Sequence, residues 1–223
     1  MLKATSISHT YKDLQVLKDV SLEVQKGEVV SIVGSSGAGK TTLLQILGTL
    51  ETPTSGNVEI GGVNPFELSK KKLAAFRNQY IGFIFQFHQL LPEFTALENI
   101  ILPALIKGES ASDSKKKGLE LLDLLGVADR HSHRPSELSG GEQQRIAVAR
   151  SLINNPKVIF ADEPSGNLDS KNATELHNLF FELRDRFNQT FIIVTHNESL
   201  ALMADRKLVM RDGYFECENL NKK

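Results

Sequence analysis

Short apolar runs alternate along this chain with longer segments whose apolar residues recur every three or four positions. Residues 28–33, 158–161 and 191–194 are predominantly apolar, which is typical of strands covered on both faces of a parallel sheet. A helical face is predicted instead for five residues of the last third, which are Ala173, Leu176, Phe180, Leu183 and Phe187. The pattern therefore predicts an α/β fold in which buried strands and helices follow one another.

The middle of the chain is predicted to be helical. Thr95–Glu98 and Ser139–Glu142 each have the spacing of a capping box, in which a serine or threonine and a glutamate begin a helix. Pro156 must end the second of these helices, because proline has no N–H to donate within a helix. We therefore expect a helical insertion over residues 87–156.

Two shorter patterns predict antiparallel pairing. Residues 58–60 alternate between apolar and polar side chains, as an edge strand does. Asp212–Gly213 separates two apolar stretches, and this dipeptide is typical of a two-residue hairpin turn. The first pattern predicts an edge strand and the second a tight hairpin.

Composition narrows the class of protein. The chain has 223 residues, with 26 Lys+Arg, 27 Asp+Glu and a formal net charge of −1, so it lacks the basic excess of a protein that coats nucleic acid. Its single cysteine, Cys217, excludes a disulfide framework and fits a reducing compartment. Neither a secretory signal nor an apolar run long enough to span a membrane is found. We therefore expect a soluble, intracellular protein without a direct lipid anchor.

The strongest chemical signal is a glycine-rich loop that fits the pattern G-x-x-x-x-G-K-[ST] in full. Its residues are Gly34, Ser35, Ser36, Gly37, Ala38, Gly39, Lys40 and Thr41. The loop lies between a predicted strand and a predicted helix, where its N–H groups can wrap a triphosphate. Lys40 would then neutralise the β- and γ-phosphates, and the Thr41 hydroxyl would bind Mg²⁺. Thr42 would reach the α-phosphate. The alternative interpretation of the whole loop is an ordinary glycine-rich turn before a helix.

Acidic residues follow the predicted strand at 158–161. Asp162 is expected to hold Mg²⁺, because ligands of α/β sheets bind at the carboxyl ends of the strands. Glu163 is expected to act as general base toward the attacking water. His196 follows the strand at 191–194 and is expected to contact the γ-phosphate, although a lone histidine is more often structural. The alternative for the acidic pair is a strand cap without chemistry.

The motif Leu138–Arg145, with sequence LSGGEQQR, resembles the signature of ATP-binding cassette (ABC) proteins, with Glu142 where many members have glutamine. The resemblance extends over essentially the whole chain. It implies that the signature residues of one subunit reach the γ-phosphate bound by the other subunit of an ATP-dependent homodimer. These residues are Ser139, Gly140, Gly141 and Glu142.

The resemblance also implies roles for other positions. Tyr11 falls where an aromatic ring stacks on adenine. Gln86 resembles the glutamine that senses Mg²⁺ and the attacking water, and residues 166–169 resemble the D-loop, which crosses the dimer interface. The implied fold is a P-loop NTPase (RecA-like) core with a small antiparallel β subdomain and an inserted α-helical subdomain. The whole chain would form one ABC domain, with residues 1–86 and 157–223 as the core.

The segments 85–99 and 133–137 resemble the ATPase subunits of lipoprotein-releasing exporters. The resemblance implies integral-membrane partner subunits, a position at the cytoplasmic face of a bacterial inner membrane, and no nucleic-acid partner. In this family, the apolar residues after Gln86 line the groove for a coupling helix, although they could equally fill the core of the insertion. The nucleotide motifs are shared with macrolide-exporter and cell-division ATPases. A soluble ABC ATPase is a further alternative, less favoured because the chain has one cassette and no coiled-coil heptads.

Overall fold

The computed structural model describes residues 1–216, so the prediction made for Cys217 lies outside the described residues. The strands of the described residues form two sheets. The larger has six strands in the order β5-β6-β7-β3-β8-β9, and the smaller has three in the order β2-β1-β4. The strands are β1 Leu2–Tyr11, β2 Leu14–Val24, β3 Val29–Val33, β4 Ser55–Ile60, β5 Ile81–Phe85, β6 Val158–Asp162, β7 Thr190–Val194, β8 Arg206–Arg211 and β9 Tyr214–Phe215.

The large sheet is parallel from β5 to β8, and only β9 pairs antiparallel with its neighbour. All five residues of β3 and of β7 are buried, as their apolar runs predict. In register, Phe85 lies opposite Asp162, while Val194 lies opposite both Asp162 and Ile32. The carboxyl ends of β3, β5, β6 and β7 therefore lie at one edge of the sheet.

The small sheet is antiparallel, and β4 lies at its edge as predicted. The Asp212–Gly213 hairpin is also confirmed, since both residues have positive φ angles and join β8 to β9. Apolar side chains of the small sheet, such as Leu2 and Ile7, share a core cluster with Ile32 and Phe160 of the large sheet. The two sheets therefore pack against each other.

Seven α-helices complete the described chain. They are α1 Lys40–Leu47, α2 Lys70–Tyr80, α3 Ala96–Lys107, α4 Ala111–Leu124, α5 Gly140–Leu152, α6 Ser170–Phe187 and α7 Glu198–Met203. The capping boxes predicted at Thr95 and Ser139 are both formed, and they begin α3 and α5. None of the helices among residues 1–216 combines the length and the apolar character that a membrane crossing requires.

Three helices, α3 to α5, lie between β5 and β6, where the insertion is predicted. Their buried residues, such as Ile100, Leu122 and Ile146, share one apolar cluster with Ile159 of β6 and Phe191 of β7. The insertion therefore packs on the same core that supports the end of β6. The division of the chain at residues 86 and 157 stays a prediction.

Two phenylalanines are more exposed than the aromatic and apolar residues that precede them. Phe187 is half exposed at the end of α6, where the chain leaves the core, so it does not continue the buried face of that helix. Phe87 is 71% exposed, whereas Phe83 and Phe85 stack with their ring centroids 5.6 Å apart. The alternation of phenylalanines stops at Phe87 because β5 ends at Phe85.

Candidate nucleotide-binding site

The glycine-rich loop joins β3 to α1 at the common edge of the large sheet. Gly34, Gly37 and Gly39 have φ angles of 152°, 80° and 103°, which residues with a Cβ rarely adopt. The first turn of α1 contains no acidic residue, so the N-terminus of this helix is suited to an anion. Local sequence thus produces the phosphate-binding geometry directly.

Lys40 folds back over this loop. Its Nζ donates to the carbonyl oxygens of Gly34 and Ser35, both at 2.9 Å. No carboxylate within residues 1–216 forms an ion pair with it in this structure, so its charge is directed at the loop that would hold phosphate groups. The donor set of positive charge and loop N–H groups fits a triphosphate.

Thr41 and Asp162 meet across the edge of the sheet. Thr41 Oγ1 donates to Asp162 Oδ1 at 3.4 Å, which joins the start of α1 to the end of β6. Burial raises the pKa of Asp162; the Thr41 hydrogen bond opposes this shift, and the charge of Glu163 adds to it. A hydroxyl and a carboxylate are hard oxygen ligands, so this pair fits Mg²⁺.

Glu163 and His196 form the next contact along this edge. Glu163 Oε2 lies 2.9 Å from His196 Nδ1 and accepts a hydrogen bond from the His196 backbone N–H at 3.2 Å. Glu163 has a φ angle of 47°, and its own N–H donates to the Val194 carbonyl. The carboxylate is 19% exposed and the imidazole 73% exposed. The backbone therefore turns sharply after Asp162, and the next carboxylate lies beside His196.

Most of these groups line one cavity of about 560 Å³. It is lined by Leu14, Val16, Gly34, Ser36, Gly37, Gly39, Lys40, Thr41, Thr42, Glu163, Val194 and His196. The glycine-rich loop, the end of β6 and the end of β7 thus face one space. The predicted site residues that do not line it are Tyr11, Ser35, Ala38, Gln86, Asp162 and the signature residues 139–142.

Gln86 does not line the cavity and is hydrogen-bonded instead to Asn167, in the loop that follows Glu163. Its Nε2 donates to Asn167 Oδ1 at 3.1 Å, and Asn167 Nδ2 donates to the Gln86 carbonyl at 3.0 Å. Gly166 lies close to this side chain, since a Cβ there would be 2.8 Å from Gln86 Nε2 and the glutamine would have to shift. Within residues 1–216, the hydrogen bonds of the Gln86 side chain and carbonyl are with Asn167, and none joins Gln86 to Thr41 or Asp162.

Tyr11 ends β1 beside the cavity. It pairs in register with Leu14, whose side chain lines the cavity, and it is 42% exposed. The His9 ring packs edge-on against the Tyr11 ring, with centroids 4.4 Å apart. Tyr11 therefore lies near the cavity without lining it.

The signature residues form a helix N-terminus. Glu142 Oε2 accepts hydrogen bonds from the Ser139 backbone N–H and hydroxyl, both at 2.8 Å, and Glu142 Oε1 accepts from Arg130 Nε at 2.6 Å. The Arg130 hydrogen bond is the main reason that the pKa of Glu142 is lowered to about 2, with the bonds from Ser139 acting in the same direction. Gly141 approaches α6 closely, since a Cβ there would lie 2.7 Å from Asn172 Oδ1.

Three residues that contribute to these sites, Arg130, Leu14 and Val16, were not predicted from sequence. Arg130 pairs with Glu142 although twelve residues separate them, and no local pattern marks it. Leu14 and Val16 line the cavity from β2, where their alternation with polar residues is only a strand signal. Both contributions depend on packing between separate segments.

Comparison with known proteins gives consistent similarities. The family model described as ABC transporter matches residues 17–166. The chain is 59% identical over 213 residues to the "Lipoprotein-releasing system ATP-binding protein LolD" of Bacteroides fragilis, covering 96% of this chain and 99% of that protein. The protein of the same name from Shewanella oneidensis is 48% identical over 220 residues, covering 97% and 96%. Among solved structures, a dimeric ATP-binding cassette in a post-hydrolysis state, bound to ADP and Pi, is 38% identical with a TM-score of 0.91 and covers 100% of both chains.

Proposed function

This chain belongs to the ABC transporter family of ATP-binding proteins, and from that premise we propose that it is the ATPase subunit of a bacterial exporter that releases lipoproteins from the inner membrane. It has the fold of an ABC ATPase, binds ATP with Mg²⁺ and hydrolyses ATP. The high identity to lipoprotein-releasing ATPases over nearly the whole chain supports the proposed cargo class.

The cavity beside the glycine-rich loop is the proposed ATP site, and its donors support this assignment. Lys40 and the loop N–H groups would bind the phosphates, while Thr41 and Asp162 would hold Mg²⁺, with Gln86 as a further ligand after a movement away from Asn167. When bound, Mg²⁺ would withdraw charge from the phosphate oxygens. The chain's proposed ATP contacts are Tyr11, Gly34, Ser35, Ser36, Gly37, Ala38, Gly39, Lys40, Thr41 and Thr42.

Glu163 is the proposed general base. A water between its carboxylate and the γ-phosphorus would transfer a proton to Oε1 or Oε2 as its oxygen attacks, and ADP would leave with the β-phosphate oxygen. His196 orients the carboxylate through its Nδ1 and backbone N–H, and its exposed imidazole is free to turn toward the γ-phosphate. The main observation that supports the proposed mechanism of hydrolysis is the contact between Glu163 and His196, which lies in the same cavity as Lys40 and Thr41.

Two copies of the chain are proposed to share each ATP. The signature residues Ser139, Gly140, Gly141 and Glu142 do not line the cavity of their own chain. They lie together at the N-terminus of α5, where the charge of Glu142 is paired with Arg130. We infer that they complete the site of a second copy when ATP is bound. Removal of the γ-phosphate would then break the bridge between the copies, and the dimer would open.

The membrane partner is proposed to dock on a groove between α2, β5, α3 and α5. This groove has a volume of about 460 Å³ and is lined by residues that include Phe83, Phe85, Pro103, Ile106, Arg77 and Arg150. Ile106 is 68% exposed, and Phe87, which lies between the lining residues Phe85 and Gln89, is 71% exposed. Leu90 instead packs on the core. An apolar surface of this kind supports binding to another protein. The ATPase would thus lie at the cytoplasmic face of the inner membrane as a peripheral subunit.

Reconstitution tests the proposed cargo. The ATPase is assembled with the integral-membrane subunits that co-purify with it, in liposomes that contain a triacylated lipoprotein. We expect ATP-dependent release of the lipoprotein to a soluble acceptor, and no release with Glu163→Gln.

A different result would redirect the assignment. Stimulation of ATP hydrolysis by a macrolide, with no lipoprotein release, would contradict the proposed cargo and favour a macrolide exporter. Co-purification with cell-division proteins would favour a cell-division complex. Hydrolysis stimulated by nucleic acid, without a membrane partner, would favour a soluble ABC ATPase.

A further inference from the structure

A buried histidine on α6 contacts the loop that follows Glu163. His177 Nε2 lies 2.9 Å from the Ser165 hydroxyl, with His177 3% exposed and Ser165 8% exposed. Twelve residues separate the two in sequence, and the contact joins the third turn of α6 to the end of β6. Neither residue lines the cavity beside the glycine-rich loop.

The loop between β6 and α6 is held at several other points. The Gly166 N–H donates to the Glu163 carbonyl, and the Leu168 N–H donates to the Ser165 carbonyl. Asp169 caps α6 by accepting from the Asn172 N–H. Ser165 is buried two positions after Glu163, and its hydroxyl is hydrogen-bonded to His177, while Leu168 of the same loop packs on the apolar core. A change at Ser165 is therefore transmitted to Glu163 through one intervening residue, Pro164.

Apolar packing alone does not explain a histidine at position 177. The other buried residues of this helix are apolar, namely Ala173, Leu176, Leu179, Phe180 and Leu183. Burial lowers the pKa of His177, so an imidazole here is less easily protonated than in water. An apolar side chain would fill the space without that desolvation, but it would leave the Ser165 hydroxyl without its partner.

We propose that His177 is a positioning residue for ATP hydrolysis, which acts by binding the Ser165 hydroxyl and thereby fixing the loop that carries Glu163. This inference rests on the proposed role of Glu163 as general base. The Glu163 backbone is already in the left-handed region, so its side-chain direction depends on how the following loop is anchored. Loss of the anchor would leave ATP binding intact and displace the carboxylate from the attacking water.

Steady-state hydrolysis by the full-length protein tests the proposal with His177→Leu, Ser165→Ala and the double variant. We expect kcat to fall about tenfold or more in each, with KM for ATP changed less than about twofold, since small displacements of a catalytic group are costly while the phosphate loop is untouched. The double variant should lose no more than the larger single loss, because both changes remove one interaction. His177→Gln, which keeps a donor and an acceptor, should retain most of the activity.

Thr190→Val is the matched control. Thr190 is also fully buried, and its hydroxyl accepts a hydrogen bond from the Gly27 N–H at the opposite end of β7, so its loss should leave kcat unchanged. Thermal unfolding of every variant shows that the protein compared is folded. If His177→Leu fails to fold, Ser165→Ala decides the result.

Wild-type kcat in folded Ser165→Ala, with Glu163→Gln inactive, would overturn the positioning role and leave the general base intact. An equal loss of kcat in Thr190→Val would also overturn the positioning role, because the loss of any buried hydrogen bond would then lower kcat. Normal turnover in Glu163→Gln would instead remove the general base, and the positioning role would fall with it.

Discussion

Gln86 and Asn167 bind each other in both directions, side chain to side chain at 3.1 Å and side chain to backbone at 3.0 Å. Gln86 follows β5, and Asn167 lies in the loop after Glu163. A displacement of the segment after β5 is therefore transmitted to the loop that carries the proposed general base. Since β5 also borders the proposed docking groove, this pair offers a short physical connection between the groove and the ATP site.

Removal of the proposed general base should stop turnover without preventing binding. Glu163→Gln is expected to lower kcat by about 10²–10⁴, which corresponds to ~3–5 kcal/mol of barrier. ATP affinity should stay near the wild-type value, and ATP-bound dimers should accumulate. Phosphate release, equilibrium ATP binding and size-exclusion chromatography with light scattering measure the three effects. Wild-type turnover would assign the base to another residue.

Closure of the dimer depends on the signature serine. Ser139→Arg should prevent ATP-dependent dimerisation and hydrolysis, because a long charged side chain would stand where the phosphate of the second copy is expected. ATP binding to the P-loop of the separate chain should persist, as measured by equilibrium dialysis.

Ser110→Arg is the control for that substitution. Ser110 also caps a helix, α4, by accepting from the Asp113 N–H, so the change loses a comparable cap outside the signature. The Ser110→Arg variant should hydrolyse ATP at the wild-type rate. If Ser139→Arg dimerised and hydrolysed ATP as the wild type does, the shared-site arrangement would be wrong.

The ion pair between Arg130 and Glu142 should make stability depend on acidity. Because the folded-state pKa of Glu142 is lowered from 4.5 to about 2, its contribution is present above pH 4.5 and is lost as pH falls toward 2. Arg130→Gln removes the main cause of this shift. The wild type should therefore unfold at a higher temperature than Arg130→Gln near pH 7, and the difference should shrink between pH 4.5 and 3. A constant difference across this range would contradict the assignment.

The exposed apolar residues beside the groove should be required for assembly. Phe87→Asp is expected to weaken co-purification with the membrane subunits and leave the basal hydrolysis of the separate ATPase unchanged, because Phe87 is 71% exposed and does not line the ATP cavity. Leu202→Asp is the matched control, since Leu202 is 59% exposed on α7 and does not line the groove. Equal co-purification of both variants would place the docking surface elsewhere.

Much of the architecture follows from local sequence. The capping boxes at Thr95 and Ser139, the Asp212–Gly213 turn and the glycine-rich loop involve residues within a few positions of one another, so their geometry is nearly independent of the rest of the chain. The helix α2 is the exception, because its only buried residue is Phe76 and its first turn consists of exposed lysines, which leaves little periodic signal.

The sequence by itself determined the three buried strands, the capped starts of α3 and α5, the phosphate-binding loop and the acidic residues after β6, because each depends on residues close together in sequence. Only the tertiary structure decided that Gln86 binds Asn167, that Arg130 lowers the pKa of Glu142 and that His177 holds Ser165. These contacts join segments that are distant in sequence. Their geometry is set by the packing of the helices on the sheet, which no local pattern specifies.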